Sequence, residues 1–240
     1  MHLMALRYLA AILACVGAAS AGASPFLMPE GTRELSVGLG LGNSEADDSS
    51  GRRETYLQPY FDARWSNGVF LEGLWLGMQL SQAPGLQYGP VVTAARERSS
   101  APGSDTQLMP VFGVFMNYQL LHNLHVAANG FRMAGSRGGS QVNLRLATHR
   151  SMAPHHTLVL AAGLRLSDRR FLQARLDAGP DAQAGVQDSH VEGRWRWEIN
   201  PKYTASATVV ARHLHGDAAS AKLATRPTSL GYSLMLVRRF

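Results

Sequence analysis

Apolar and polar residues alternate along most of the chain after residue 34. The alternation is clearest at residues 157–166 (TLVLAAGLRL), where Leu158, Leu160 and Leu164 share one parity and Gly163 and Arg165 share the other. A period of two predicts β-strand. The same pattern predicts eleven strand segments, at residues 35–42, 56–65, 70–80, 86–94, 108–119, 124–129, 141–146, 157–166, 190–199, 203–212 and 229–240.

The segments fit membrane-spanning strands better than the strands of a soluble sandwich. Each has about ten residues, the length that a tilted strand needs to cross the apolar band of an outer membrane. One face is apolar, and the other carries Gly, Ser, Arg, Glu and Gln. Aromatic residues end several apolar faces, as in the girdles of such barrels: Trp65, Phe70, Tyr203 and Phe240. The sequence therefore predicts an all-β protein, a transmembrane up-and-down antiparallel barrel.

The connections also alternate, between short turns and longer polar stretches. Short turns are expected at 66–68, 81–85, 121–123 and 200–202, and long loops at 43–54, 97–107, 134–140, 167–189 and 215–228. Short periplasmic turns and long external loops are typical of bacterial barrels, which have even strand numbers. Eleven segments are odd, so one strand in the first third is missed, merged or mis-split. We predict about 12 strands, with ten as the alternative, and a closed sheet, because an unpaired edge in lipid is costly.

The ambiguous segment is 70–80, which is interpreted as one strand. Its apolar residues share a parity, and Glu72 interrupts that face. The residues assigned to the face are Phe70, Leu74, Leu76, Met78 and Leu80.

Residues 1–23 resemble a secretory signal peptide. Arg7 precedes a short apolar run and small residues, with cleavage expected after Ala21 or Ala23. A lipoprotein signal with lipid on Cys15, the only cysteine, is the alternative. The expected domains are thus a signal peptide at 1–23 and a barrel at 24–240, located in the cell outer membrane.

The charge balance gives no specific partner. The chain has 23 basic and 17 acidic side chains, and its basic residues are dispersed. No nucleic-acid module is recognisable, so the partners expected from this pattern are outer-membrane lipid and lipopolysaccharide.

No constellation of residues indicates an enzyme, a metal site or a cofactor site. His125 and Asn129 could serve a lipid hydrolase, but nothing marks a nucleophilic serine. An acid and histidine cluster (Asp47, Asp48, His215 and Asp217) and the histidines His155, His156 and His213 are equally ordinary in loops and strand ends. We therefore predict no catalytic, metal-binding or cofactor-binding residue.

One face of the strand at 190–199 is charged, and it should point into the lumen. We expect a cross-strand ion network there, which either forms an anion-selective constriction or plugs the lumen. Its predicted members are Arg145, Arg165, Glu192, Arg194, Arg196, Glu198 and Arg212.

Residues 56–80 (YLQPYFDARWSNGVFLEGLWLGMQL) resemble the MltA-interacting protein (MipA)/OmpV family of outer-membrane proteins. The matching motif is a P-Y-F-x-x-R-W strand followed by an F-x-x-G-x-x-G strand, and then a G-L-x-x-G-P element at 85–90. Segments 166–176 and 216–219 are similar to later family blocks. The motif residues of interest are Pro59, Tyr60, Phe61, Arg64, Trp65, Gly73, Gly77, Gly89 and Pro90.

The resemblance implies a non-enzymatic barrel that acts as a scaffold or interaction protein. Members of the family are described as linking a murein transglycosylase to a murein synthase, so these enzymes are the partners that it implies. A small porin-like channel or an adhesin is the alternative function, and a lipid-modifying enzyme a more distant one.

The last segment, SLGYSLMLVRRF, is predicted to be the closing strand. Tyr232 belongs to its outward face, and the terminal Phe240 resembles the signal that the barrel-assembly machinery reads. Arg238 shares the parity of Phe240, so it must lie at the membrane rim, where a long side chain can reach headgroups.

Overall fold

The protein is a closed antiparallel barrel of twelve strands, which confirms the predicted fold class. The computed structural model describes residues 31–45, 53–81, 83, 85–96, 108–134, 138–221, 224 and 226–240. The predicted signal peptide, residues 1–23, lies outside these residues. The strands are β1 (Arg33–Glu45), β2 (Arg53–Trp65), β3 (Val69–Glu72), β4 (Trp75–Met78), β5 (Leu86–Arg96), β6 (Leu108–Leu121), β7 (Leu124–Met133), β8 (Ser140–Ala153), β9 (His156–Ser167), β10 (Gly185–Asn200), β11 (Tyr203–Leu214) and β12 (Thr228–Arg239).

The first and last strands close the barrel. They pair from Ser36↔Arg239 to Asn43↔Tyr232. The backbone N–H of Phe240 donates to the carbonyl of Leu35 at 2.9 Å, so hydrogen bonding continues to the last residue. The predicted closing strand is confirmed, and it leaves no sheet edge at the junction of the two chain ends.

The outer surface is an apolar belt made by one parity of each strand. Large apolar side chains on this belt are exposed in the isolated chain, as expected of a surface that lipid covers. Examples from different strands are Leu39, Leu57, Phe112, Val114, Leu146, Leu160, Val191, Val209 and Leu234.

The missing strand lies in the segment interpreted as a single strand. Residues 69–78 form two four-residue strands, β3 and β4, paired from Val69↔Met78 to Glu72↔Trp75. Gly73, at φ 59°, and Leu74 make the turn between them. The single-strand interpretation of 70–80 was therefore wrong, and splitting it gives the even strand number.

The hairpin turn also reverses which parity faces the lumen. Phe70 was assigned to the outward face with Leu76, but its ring packs inside the barrel against Phe115. Glu72, which interrupted the apolar pattern, is likewise inward and pairs with Arg64. Even-numbered residues face inward in β3 and outward in β4, because the turn has two residues.

Five connections lie at one end of the barrel, and all of them except 79–85 have two or three residues, whereas those at the other end, apart from the Gly73–Leu74 turn, have six or more. The five are residues 66–68, 79–85, 122–123, 154–155 and 201–202. Both ends of the described chain lie at this same end, which the usual layout makes periplasmic. Because β3 and β4 are two strands, the turn at 66–68 lies at the periplasmic end with the other four connections.

Two external loops are partly helical rather than irregular. Helix α1 (Arg169–Leu176) begins at Asp168, whose side chain accepts from the N–H of Phe171 at 2.7 Å and from that of Ser140 at 2.8 Å. Helix α2 is Gly216–Ala219. The expected loop at 167–189 was too long, since it contains α1 and the first residues of β10. No described helix is long and apolar enough to span a membrane.

These helices pack together as an extracellular cap. Its core consists of Leu172, Ala178, Ala182, Ala218 and Ala221. Phe171 of α1 packs against Val111 and Met133, which belong to β6 and β7. Because α1 follows β9 in the chain and reaches β6, the cap extends over part of the external mouth.

Candidate functional site

The barrel interior contains a buried acidic centre at Asp188. This residue has no exposed surface. Its Oδ2 lies 3.5 Å from Nη1 of Arg165, and its Oδ1 lies 4.0 Å from Nε of Arg212 and 3.5 Å from Nδ1 of His190. Strands β9, β10 and β11 are thus joined by one carboxylate. Asp188 was not predicted as a lumen residue because residues 167–189 were interpreted as a loop.

A second cluster lies nearer the middle of β10. Oε1 of Glu192 lies 3.4 Å from Nη2 of Arg145 and 3.0 Å from Nη2 of Arg194. The Glu192 side chain is 9% exposed, so both pairs are shielded from water. Shielded pairs restrain the strands that carry them, because separating them leaves a buried charge.

The seven residues predicted as one ion network fall into three separate groups. Arg165 and Arg212 contact Asp188, which was not predicted. Arg145 and Arg194 contact Glu192. Arg196 and Glu198 pair with each other at 2.9 Å, close to the periplasmic end and with the Glu198 side chain 49% exposed. The predicted residues face the lumen, and Arg145 and Glu192 form one of the predicted cross-strand pairs.

A further charged cluster lies across the lumen on β2 and β3. Nε of Arg64 lies 3.2 Å from Oδ1 of Asp62, and its Nη2 lies 3.7 Å from Oε2 of Glu72. The hydroxyl of Tyr60 donates to Asp62 at 3.4 Å. Strands β2 and β3 are therefore joined by an ion cluster inside the barrel.

Beyond Glu72, the wall from β3 to β7 carries two aromatic pairs. Phe70 and Phe115 pack edge to face with centroids 5.3 Å apart, and Trp75 and Phe131 do so at 5.0 Å. Val91 of β5 is 2% exposed. The lumen thus has an aromatic side and a charged side.

The family-motif residues surround the short hairpin. Pro59, Phe61 and Trp65 lie on the outward face of β2, and Tyr60 and Arg64 on its inward face. Gly73 makes the hairpin turn. Pro90 and Gly89 lie on β5, which borders β4. Near the end of the chain, Tyr232 and Phe240 lie on the outer surface and are exposed.

Two motif glycines are positions where no side chain fits. A Cβ on Gly77 would lie 2.3 Å from Cζ of Phe70, so this glycine accommodates the inward ring. A Cβ on Gly89 would lie 1.8 Å from the carbonyl oxygen of Met78. Close backbone approach is a recognised reason for glycine within a strand. These residues build the hairpin and do not form a reactive site.

The candidate catalytic histidines have structural neighbours. His125 stacks on His149 with ring centroids 5.4 Å apart. His156 stacks on Trp195, and His155 is in a turn at φ 65°. No group of three metal-ligating side chains suited to a metal ion occurs among the described residues. Asp47 and Asp48 lie outside the described residues.

One serine–histidine pair was not foreseen. Oγ of Ser189 lies 2.8 Å from Nε2 of His215, on the outer side of β10 near the extracellular end. His213 bonds to the Thr228 hydroxyl at 2.8 Å instead. The carboxylate of Asp217 accepts from the backbone N–H of Gln183 at 2.6 Å. Asp217 thus bonds to Gln183, and His215 bonds to Ser189.

The periplasmic rim is basic. Arg238 pairs with Tyr203, the first residue of β11, and its guanidinium lies 4.4 Å from the ring centre of Phe240. Arg238 therefore lies at the membrane rim, as predicted from its shared parity with Phe240. Among the described residues at this end, the exposed basic ones are Arg33, Arg150, Lys202, Arg238 and Arg239, against the exposed acids Glu34 and Glu198.

Solved outer-membrane proteins match the chain at low sequence identity. The NanC porin is 9% identical, with a TM-score of 0.51, and the match covers 84% of this chain and 98% of that one. An outer-membrane channel from Pseudomonas putida F1 is 12% identical, with a TM-score of 0.46 and coverage of 89% and 97%. The outer-membrane channel DcaP of Acinetobacter baumannii is 10% identical, with a TM-score of 0.45 and coverage of 87% and 96%. No curated protein sequence matches the chain.

A family model matches most of the chain. The model described as "MltA-interacting protein MipA" matches residues 35–240, which include all described strands except the first two residues of β1. Together with the closed barrel and its apolar belt, this match places the protein in the outer membrane. The chain belongs to the MipA family of outer-membrane barrel proteins.

Proposed function

We propose that the barrel is a scaffold that holds a murein transglycosylase, and with it a murein synthase, at the inner surface of the outer membrane. The family's description as MltA-interacting supports the choice of partner. The observation that carries the proposal is the basic periplasmic rim, which gives a membrane-anchored surface for a partner with acidic side chains.

The paired charges of the lumen support a scaffold over an ion-selective pore. In the Asp62–Arg64–Glu72 cluster and in the Arg145–Glu192–Arg194 cluster, each carboxylate lies beside an arginine. Charges of opposite sign that pair with each other leave less field to select ions.

Charge reversal at the rim should weaken partner capture. We expect the double variant Arg150→Glu and Lys202→Glu to recover about fivefold less murein transglycosylase from crosslinked envelopes, because rim charges steer and orient a partner. Both side chains are exposed at the periplasmic end. The measurement is quantitative mass spectrometry of the purified complexes.

The double variant Arg170→Glu and Arg226→Glu is the matched control, since it makes the same two charge reversals at exposed positions of the extracellular end. It should leave recovery unchanged. Absence of any enriched murein enzyme with the parent barrel would contradict the proposal. Steady ion-selective steps in planar bilayers would favour the porin alternative.

We further propose that the barrel is not an enzyme. Nucleophilic catalysis by serine needs a base that is itself oriented by a third group. Ser189 has His215 as a neighbour, but no described hydrogen bond links the other ring nitrogen of His215 to an acid. The purified barrel should release no fatty acid from phospholipid or lipopolysaccharide, and Ser189→Ala should behave identically. Product formation that is lost in Ser189→Ala would refute this.

A further inference from the structure

Among the described residues, the barrel wall has a gap in its strand pairing above the short hairpin. β2 pairs with β1 along its whole length, from Arg33↔Trp65 to Glu45↔Arg53. On its other side it pairs with β3 only at residues 62–64. β5 pairs with β6 throughout, but its pairing with β4 ends at Leu76↔Val92.

We call this gap the wall notch. Its lower border is the turn Gly73–Leu74, and its sides are residues 53–60 of β2 and 93–96 of β5. No described residue forms a ladder with these two edges on the notch side, and β2 and β5 do not pair with each other. A four-residue strand rises about 13 Å, roughly half of the ~25 Å apolar band. Because the hairpin starts at the periplasmic end, the notch opens at the depth of the outer leaflet.

The sequence of β2 is suited to a free edge. The carbonyl of Phe61 accepts from Gly73 N–H at 2.7 Å, so the backbone groups of Phe61 point toward β3. Backbone direction alternates, and Pro59 therefore points the same way, into the notch. Proline has no N–H to leave unpaired, and it is found on edge strands. The motif proline thus removes one donor where lipid would meet the edge.

The surface behind the β5 side of the notch is apolar. Val91 of β5 is 2% exposed and Phe115 of β6 is 9% exposed, while the β2 side carries the buried Gln58. Phe70 and Trp75 of the hairpin face the same space. Thr93, at the edge of the notch, is 6% exposed, and its hydroxyl has no hydrogen-bond partner among the described residues. A buried hydroxyl without a partner beside an apolar space is an available contact for a bound polar group.

The extracellular cap obstructs the other way into this space. Phe171 packs against Val111 and Met133, at the external ends of β6 and β7. The aromatic side of the lumen therefore lies under the cap and beside the notch. A ligand that reaches it from the side must come from the outer leaflet.

We propose that the wall notch gives an acyl chain of an outer-leaflet lipid lateral access to the aromatic side of the lumen. The chain would pass above Gly73 and lie against Phe70, Trp75 and Phe115, with an ester or hydroxyl group near Thr93. This binding site is independent of the periplasmic scaffold role, since it lies at the opposite depth of the barrel.

Bromine-labelled acyl chains test the proposal, because bromine quenches tryptophan fluorescence at short range. The chain has four tryptophans. Trp65→Phe, Trp195→Phe and Trp197→Phe together leave Trp75 as the only fluorophore, inside the barrel. The variant is reconstituted in vesicles of phosphatidylcholine whose acyl chains carry bromine at mid-length. We expect Trp75 to be quenched at least about twofold more strongly than an inward tryptophan on the far wall.

The matched comparison places that tryptophan on β9. In this comparison variant, all four tryptophans are changed to Phe and Val159→Trp is added. Its single tryptophan faces inward, and the paired strands around β9 separate it from lipid. A barrel retaining only Trp195, which is 42% exposed on the lipid side, gives the upper limit of quenching. Equal quenching of Trp75 and position 159 would overturn the proposal.

A longer hairpin gives a second test. Inserting two residues on each side of the Gly73–Leu74 turn, with apolar residues outward, extends β3 and β4 into the notch. We expect the quenching of Trp75 to fall to the level at position 159, with folding verified by heat-modifiable migration on gels. Unchanged quenching in the folded, lengthened barrel would also refute lateral access. Quenching by brominated free fatty acid but not by phospholipid would contradict a lipid-borne chain.

Discussion

Replacing Asp188 by Asn should destabilise the barrel by about 3–5 kcal/mol, the range measured when one partner of a buried ion pair is removed. The carboxylate is fully buried and contacts Arg165, Arg212 and His190. Asn has nearly the same shape, so packing is retained and the main loss is charge. Two arginines on neighbouring strands would then face a neutral amide in a space with little water.

The measurement is urea unfolding of the folded barrel in detergent micelles, followed by tryptophan fluorescence and heat-modifiable migration. Glu198→Gln is the matched control. It also removes a carboxylate from β10, but from a pair whose acid is 49% exposed, where the contribution is below about 1 kcal/mol. If Asp188→Asn unfolds at the same urea concentration as Glu198→Gln, Asp188 is not an organising centre of the charged wall.

Gly89→Ala should have the second largest effect, about 3 kcal/mol or more, at the upper end of overpacking penalties. The new Cβ would lie 1.8 Å from the carbonyl oxygen of Met78. That oxygen belongs to the backbone, so it cannot move aside as a side chain would. The conflict must be relieved by separating β4 from β5, which would widen the wall notch.

Gly130→Ala on β7 is the control for Gly89→Ala. A Cβ there would lie 3.8 Å from Cγ2 of Val114, an ordinary contact. We expect Gly130→Ala to assemble like the parent, while Gly89→Ala gives less folded barrel in outer-membrane fractions. Equal amounts of folded protein from both variants would show that β4 and β5 tolerate the displacement.

The positions of the two proposals within the barrel separate their tests. The basic rim at the periplasmic end concerns protein partners, and the wall notch concerns lipid in the outer leaflet. Variants at Arg150 and Lys202 should not alter quenching of Trp75, and a lengthened hairpin should not alter recovery of the murein enzyme. A barrel that fails one test can therefore still pass the other.

The alternation of residues determined the fold class without any tertiary information. Leu158, Leu160 and Leu164 face outward and Arg165 faces inward because side chains of a strand alternate strictly, and lipid on one side leaves no other register. The same rule placed Arg238 at the rim and Phe240 at the end of the closing strand. The ordered blocks at 56–80, 85–90, 166–176 and 216–219 indicated the family that the family model confirms.

Tertiary structure decided the hairpin and the pairing of charges. A turn at Gly73 and Leu74 reverses the inward parity, so a continuous alternating segment concealed two strands and an inward Phe70. Asp188 lies in a stretch that was interpreted as a loop, next to a register shift between Val186 and Asp188. Alternation shows which residues face the lumen, but which arginine meets which carboxylate depends on the stagger of neighbouring strands. That stagger is set by long-range pairing, which no local pattern contains.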